Sequence, residues 1–371
     1  MSPSREPTRL LMTADAAGGV WTYALDLAGG LAARGVATTL AVLGPAPSDT
    51  QRAQAEAVPG LQLRLTDLPL DWLADGPEPV LAAAGSLAAL ARETGADLVH
   101  LNSPAHAAGA DFPVPVVAVS HSCTATWWDA VRGGDLPEDF AWRAGLLRRG
   151  LLAADAVITP SHAFAEATAR RYALPSRPVA VHNGRKPLAA PGAGPEVPDL
   201  FALTVGRLWD AGKGLETLDR VAARLELPVL AAGPIDGPDG TRAQLNHIRP
   251  LGNLDEPALA ALLARTPILV SLALYEPFGL AVTEAAGCGC PLVLSDIPTF
   301  RELWDGAAVF VPARDEVATA AAVDGLAGDP AERARLGAAA RARASRYTVE
   351  AMTEATLAVY RGVLMQGTAA A

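Results

Sequence analysis

The chain has 371 residues, half of them hydrophobic and 19% charged, which is enough apolar mass for two cored domains and excludes a disordered chain. Its 40 acidic and 30 basic residues leave a formal net charge of -10, which excludes a general electrostatic attraction to nucleic acid or anionic lipid. Three cysteines over this length make no disulfide framework. The polar N-terminus, with Arg5, Glu6 and two prolines, lacks a signal peptide's apolar core.

Short continuous Val/Ile/Leu runs predict buried parallel strands at residues 9–13, 37–43, 98–101, 114–120, 156–159 and 179–182. Ala/Leu-rich stretches at 20–34, 80–94 and 140–153 predict helices between them. Residues 187–198 carry four prolines and two glycines without an apolar period, and are expected to form an interdomain linker over 188–198. The pattern then restarts. Strands are expected at 201–205, 229–232, 268–271, 291–295 and 308–311, with helices at 216–225, 256–264 and 280–287. From residue 316 onward the chain is Ala/Arg-rich and helical. This alternation is that of an α/β protein with two Rossmann-like, doubly wound domains, one within residues 1–187 and one within 199–345. Such sheets bind ligands beyond the carboxyl ends of their strands, so chemistry is sought on the loops there. No uncharged apolar run is long enough to span a bilayer, and a cytoplasmic location is the expectation.

One such loop reads Tyr275-Glu276-Pro277-Phe278-Gly279-Leu280-Ala281-Val282-Thr283-Glu284. Glu276 precedes a helix and Glu284 falls in its second turn. Unpaired N–H groups and the positive dipole end make a helix N-terminus a phosphate site, and the carboxylates can accept hydrogen bonds from sugar or ribose hydroxyls. Gly279 lets a ligand approach the backbone. Read alone, the two glutamates are as well explained by a first-turn acid and a solvated helix residue. A second loop changes the balance: Gly206-Arg207-Leu208-Trp209-Asp210-Ala211-Gly212-Lys213-Gly214 follows a strand of the same half. Arg207 and Lys213 can stabilise the charge that develops on a departing diphosphate, one as a planar fork and the other as a point charge.

With these residues in view, the chain resembles the family 4 retaining glycosyltransferases, which have the GT-B fold of two Rossmann-like domains facing each other across a cleft. The Gly-Arg-Leu…Lys-Gly turn at 206–214, Ala232-Gly233-Pro234, Leu251-Gly252-Asn253 and the Glu-x7-Glu segment follow in the family's order, and the likeness covers nearly the whole chain. It implies that Arg207 and Lys213 grip the diphosphate, Glu276 binds hydroxyls of the donor sugar and Glu284 binds the ribose. Backbone around Phe278, Gly279 and Leu280 would face sugar and phosphate, while Leu251, Asn253 and Leu254 border the base. Gly206 belongs to the same turn. Residues 1–187 would form the acceptor-binding domain, and residues 346–371 a C-terminal helix packing back towards it.

The likeness is looser in the first half. Gly18 and Gly19 follow the first strand, where the family has a glycine turn near the donor phosphates; no G-x-G-x-x-G dinucleotide fingerprint is present. His121 matches a histidine that the family places beside the reacting sugar. Pro160-Ser161 and His182-Asn183-Gly184 match architectural landmarks, and Arg185-Lys186 depart from the apolar-acidic pair usual after that Asn-Gly. Trp127 and Trp128 either contact the acceptor or pack. Residues 140–152, with Trp142, Arg143, Arg148 and Arg149, form either a solvated helix face or a peripheral membrane contact.

The expected reaction moves a sugar from a UDP- or GDP-sugar to a hydroxyl of a small-molecule, glycan or lipid-linked acceptor. The likeness implies retention. The expected front-face displacement, in which the leaving diphosphate helps to deprotonate the acceptor, needs no divalent metal. No Asp-x-Asp motif suited to one lies near the site, and no cofactor is expected. Two rivals have distinct signatures: another GT-B enzyme, such as a sugar phosphorylase or nucleotide-sugar epimerase, and a non-catalytic sugar or nucleotide binder. Cys288 and Cys290, with no second Cys/His cluster near them, are expected to be buried thiols.

Overall fold

A computed structural model describes residues 6–188, 190–237 and 240–369, with the side chains of the last three set aside. The first five residues, on which part of the N-terminal reading rests, lie outside this range. The chain divides into two compact units: Met1–Asp129 with Gly133–Gly184 and Thr348–Ala371, and Ala130–Arg132 with Arg185–Tyr347.

In the first unit β1 (Arg9–Asp15), β2 (Ala37–Leu43), β3 (Leu61–Leu65), β4 (Leu98–Leu101), β5 (Val116–Val119), β6 (Ala156–Thr159) and β7 (Val179–Ala180) form one parallel sheet. Its order is β3-β2-β1-β4-β5-β6-β7, so successive connections run outward in opposite directions from the β1–β4 pair. That reversal leaves a crevice at the carboxyl ends of β1 and β4. Strands β4 and β5 are buried along their whole length; β5 is a continuous apolar run, and β4 is apolar except for the buried His100. Strand β3 was not expected. Its sequence Leu-Gln-Leu-Arg-Leu alternates at the sheet edge with neither face fully buried, so it carries no such run. The helices are α1 (Gly19–Ala32), α2 (Asp49–Glu56), α3 (Pro77–Thr94), α4 (Thr124–Val131), α5 (Glu138–Ala153) and α6 (His162–Tyr172).

The second unit repeats the plan with β8 (Ala202–Val205), β9 (Val229–Ala232), β10 (Arg249–Gly252), β11 (Ile268–Ser271), β12 (Leu292–Ser295) and β13 (Val309–Val311). The order is β10-β9-β8-β11-β12-β13, again parallel, with the reversal between β8 and β11. Strand β10 was also missed: Arg-Pro-Leu-Gly reads as a loop, and an edge strand tolerates its proline because one side needs no ladder bond. Helices α7 (Leu215–Ala222), α8 (Glu256–Leu263), α9 (Leu280–Gly287), α10 (Pro298–Trp304), α11 (Glu316–Gly328) and α12 (Pro330–Ala344) cover the sheet. Phe201, Phe300 and Trp304 are fully buried in its core, each stabilising the unit by roughly 1.5–3 kcal/mol or more.

The chain returns to the first unit in α13 (Val349–Ala369), whose Met352, Leu357 and Tyr360 join the core formed by Trp21, Tyr23 and Leu27 of α1. The two helices touch so closely that a Cβ on Gly30 would lie 2.0 Å from Thr353 Oγ1. Apart from the short Ala130–Arg132 excursion, the chain leaves the first unit between Gly184 and Arg185, ahead of the proline-rich segment. That segment packs on the second unit, where Gly192 N–H donates to Pro257 O at 3.0 Å. Proline content marked the irregular backbone; the boundary between the units falls just after Asn183-Gly184, before it.

Candidate active site

The Gly206–Gly214 turn ends β8 and the Glu276 loop ends β11, so the sheet order brings the two loops side by side at its reversal point. They are joined by backbone: Leu274 N–H donates to Gly212 O at 2.8 Å and Tyr275 N–H to the same oxygen at 3.3 Å. Gly214 is required here, since its φ is +68° and a Cβ would lie 2.1 Å from Leu272 O. The result sets Lys213 Nζ 2.6 Å from Glu276 Oε2, with both side chains mostly buried. A cation and a carboxylate thus share one place. Asp210 shapes the turn by accepting from Gly212 N–H at 2.8 Å. Its other oxygen accepts from Arg207 at 3.1 Å, leaving Arg207 half-exposed at the rim and Lys213 inside.

Helix α9 begins at Gly279, whose φ of +95° is left-handed and whose position has no side-chain cap. The first-turn N–H groups therefore face outward from the helix end without an intrahelical acceptor. Phe278 is buried edge-on against Tyr347, with ring centres 5.6 Å apart, so it offers a ligand its backbone rather than its ring. Leu280 is half-buried. One turn on, Glu284 Oε1 accepts from Arg185 Nε at 2.6 Å, and each side chain is only 12% exposed. Arg185 also lies 3.9 Å from Glu256 and donates its backbone N–H to Tyr347 O. The sequence had shown Arg185 as a departure without a role; its partner lies 99 residues away.

Backbone bonds tie the ends of three neighbouring strands together: Gly206 N–H to Ala232 O at 3.0 Å, and Gly233 N–H to Gly252 O at 2.8 Å. Leu251 lies in the edge strand β10 and Asn253 and Leu254 directly after it, with Asn253 exposed and both leucines half-buried. Asp255 then caps α8 by accepting from Ala258 N–H at 2.9 Å. Arg207, Lys213, Glu276, Gly279 and Glu284 are thus carried on two adjacent loops and one helix start, while the 251–254 loop lies two strands away.

In the first unit Gly18 caps α1 directly after β1, and a Cβ there would meet no atom within 4 Å. Protein packing does not demand glycine at Gly18, and Gly19 opens the helix. His121 follows β5, its ring against the edge of Tyr23 with centres 4.5 Å apart and its Nε2 2.8 Å from Asn102 Oδ1. Burial, with help from neighbouring His100, pushes its pKa down to about 3, so the ring is neutral. His100, fully buried in β4, is held down to about 4 by burial, which the Asn102 side chain offsets only in part. Its Nδ1 lies 2.7 Å from the Tyr360 hydroxyl of α13.

Trp127 and Trp128 lie on α4, half-buried, with Trp128 tilted against Phe140 at 6.0 Å. The basic residues of α5 are partly consumed within the unit. Arg143 donates to Ala74 O at 2.7 Å and Arg148 to Tyr172 O at 2.9 Å. Cys290 is buried and Cys288 half-buried, both as free thiols that burial pushes to higher pKa. No helix among the described residues is long and apolar enough to cross a membrane.

Comparison with known proteins joins these observations. Residues 17–187 match Glycosyltransferase Family 4, and residues 194–343 match Glycosyl transferases group 1. A D-inositol 3-phosphate glycosyltransferase of Kineococcus radiotolerans is 30% identical over 93% of this chain and 90% of its own. Glycogen synthase of Mycobacterium tuberculosis is 40% identical, over 31% of this chain and only 29% of that protein's length. Among solved structures, Anabaena Alr3699/HepE in complex with UDP-glucose superposes with a TM-score of 0.70 at 18% identity, covering 95% of this chain and 98% of that one. Its two doubly wound sheets are the fold seen here. With a relative at 30% identity along most of both chains, the protein belongs to the group 1 glycosyltransferases, hexosyltransferase-type enzymes of the GT-B fold.

Proposed function

We propose that the protein transfers a hexosyl group from a nucleoside diphosphate sugar, UDP- or GDP-linked, to an acceptor hydroxyl, with retention and without a divalent metal. The observation that carries this reading is the Lys213–Glu276 pair at 2.6 Å, beside the uncapped start of α9. Lys213 and the first-turn N–H groups supply positive potential for the diphosphate, with Arg207 at the rim. Glu276 accepts hydrogen bonds from sugar hydroxyls, and Glu284 from the ribose. His121, neutral, hydrogen-bonds the sugar. A UDP-glucose complex of a structural neighbour supports a nucleotide-sugar donor.

In the reaction the bond from the anomeric carbon to the phosphate oxygen breaks and the acceptor oxygen bonds to the same face of that carbon. The acceptor's proton passes to the leaving diphosphate, whose charge Lys213 and the helix end balance. No carboxylate is needed as a covalent nucleophile. Thermal stabilisation screened across UDP-, GDP- and ADP-sugars, followed by an assay for slow donor hydrolysis, tests the proposal. One donor at 100 times its Kd should stabilise the fold by about 2.7 kcal/mol and be hydrolysed at a rate that a chelator leaves unchanged. Affinity without turnover would identify a binder, and sugar phosphate released from disaccharide and phosphate a phosphorylase. Loss of turnover to chelator, restored by magnesium or manganese, would refute the metal-free route.

A further inference from the structure

The segment after β4 holds a polar residue that the sequence left unnoticed. Asn102 lies at the crevice formed by the β1–β4 reversal, where its backbone N–H donates to Thr13 Oγ1 at 2.9 Å and its Nδ2 to Thr13 O at 2.6 Å. A backbone carbonyl can only accept, so the amide nitrogen must be the end that faces Thr13. The oxygen end is therefore the one 2.8 Å from His121 Nε2. An amide oxygen also only accepts, and the hydrogen of that contact must reside on Nε2. The aromatic neighbours of His121 are Tyr23 from α1 and His100 from β4, and its one hydrogen-bond partner among the described residues is Asn102. A neutral imidazole with its hydrogen on Nε2 has a lone pair at Nδ1, and that atom has no partner among the described residues.

We propose that Asn102 is a positioning residue that locks His121 in the Nε2–H tautomer, so that Nδ1 acts as a hydrogen-bond acceptor for a substrate hydroxyl. This deepens the proposed function and rests on its reading of His121 as a sugar contact. The lock makes His121 a reader of hydroxyl donors and removes it from acid catalysis. A sugar whose hydroxyl at that position is replaced by fluorine or methoxy, which cannot donate, loses the contact. Thr13, 89 residues from Asn102, is the anchor that decides the direction of the whole chain of hydrogen bonds.

The test is a long-range imidazole proton–nitrogen correlation spectrum of the full-length, nitrogen-15-labelled protein at pH 7, with His121 assigned by comparison with His121→Gln. Wild type should show a neutral His121 protonated on Nε2, and Asn102→Ala should show a mixture of tautomers. A charged ring or an Nδ1–H tautomer in the wild type overturns the proposal by itself, whether or not the variant folds. An unchanged tautomer in Asn102→Ala overturns it too. Hydrolysis of UDP-glucose then separates the lock from its use: Asn102→Ala should lower kcat about tenfold, the scale of one lost hydrogen bond, and have no further effect in His121→Ala. An additional loss in the His121→Ala background would mark Asn102 as merely structural and refute the role. Wild-type turnover by His121→Ala would instead overturn the reading of His121 as a sugar contact, leaving the tautomer standing but without a use.

Discussion

The two sheets end in loops of opposite electrostatic character. Beyond β8 and β11, an ammonium faces a carboxylate at 2.6 Å, and a guanidinium faces another carboxylate one helix turn away. Beyond β1, β4 and β5 a carboxylate, Asp15, accepts from Ala17 N–H, and beside it runs a neutral chain of contacts: a threonine, an amide and an imidazole that burial keeps uncharged. Charge placed against charge suits a ligand that arrives with, and leaves with, negative phosphate. A neutral chain of fixed donors and acceptors suits hydroxyl groups, whose recognition depends on direction rather than on net charge. The same doubly wound plan thus carries two kinds of contact, and the residues at the strand ends decide which.

The largest effects should fall on the charged side. Lys213→Ala or Glu276→Ala is expected to lower kcat by about a hundredfold or more, because on the proposed reading each removes a preorganised contact to the donor. Steady-state turnover near the wild-type value in both variants would dissolve the contrast, since the charged loops would then have no catalytic part. The next effect concerns Glu284. Its substitution by alanine should weaken nucleoside diphosphate binding about tenfold by calorimetry, equivalent to about 1.4 kcal/mol. Arg185→Ala should lower the unfolding free energy by about 2 kcal/mol, as expected when a mostly buried charge loses its hydrogen-bonded partner. Urea melts that do not distinguish Arg185→Ala from wild type would show the pair to be dispensable.

The remaining effect belongs to the neutral side and appears only as pH is lowered. Histidine in the unfolded chain takes up a proton near pH 6.5, whereas folded His100 and His121 stay neutral down to about 4 and about 3. Below pH 6.5 the unfolded state therefore binds protons that the folded state does not, and stability falls on acidification. Each histidine adds a slope of up to about 1.4 kcal/mol per pH unit. Urea unfolding between pH 7 and 5 should show this decline, and His121→Gln should make it shallower. An unaltered slope in that variant would mean that His121 titrates normally in the native state.

Sequence reading fared unequally along the chain for physical reasons. Strands such as β2, β4, β6, β9 and β11 were legible to the residue because their largely buried positions demand mostly apolar sequences. The edge strands β3 and β10 were not, because partial exposure relaxes that demand. Among site residues, Lys213 and Glu276 stood out because glycine turns and a helix start are local patterns of adjacent residues. Their mutual contact was not legible, since it depends on β8 and β11 being neighbours although 63 residues separate the two side chains.

By itself, the sequence determined the α/β class, the near-repeat of one plan in two halves, and the positions of the two loops proposed to meet phosphate and hydroxyl groups. All three follow from periodicity and local turn chemistry, which need no distant partner. Only the tertiary structure decided which groups meet: Arg185 with Glu284, Lys213 with Glu276, and Thr13 with Asn102 and through it His121. Strand order brings such partners together across tens of residues, and a hydrogen bond's direction is fixed only when both of its ends are in place.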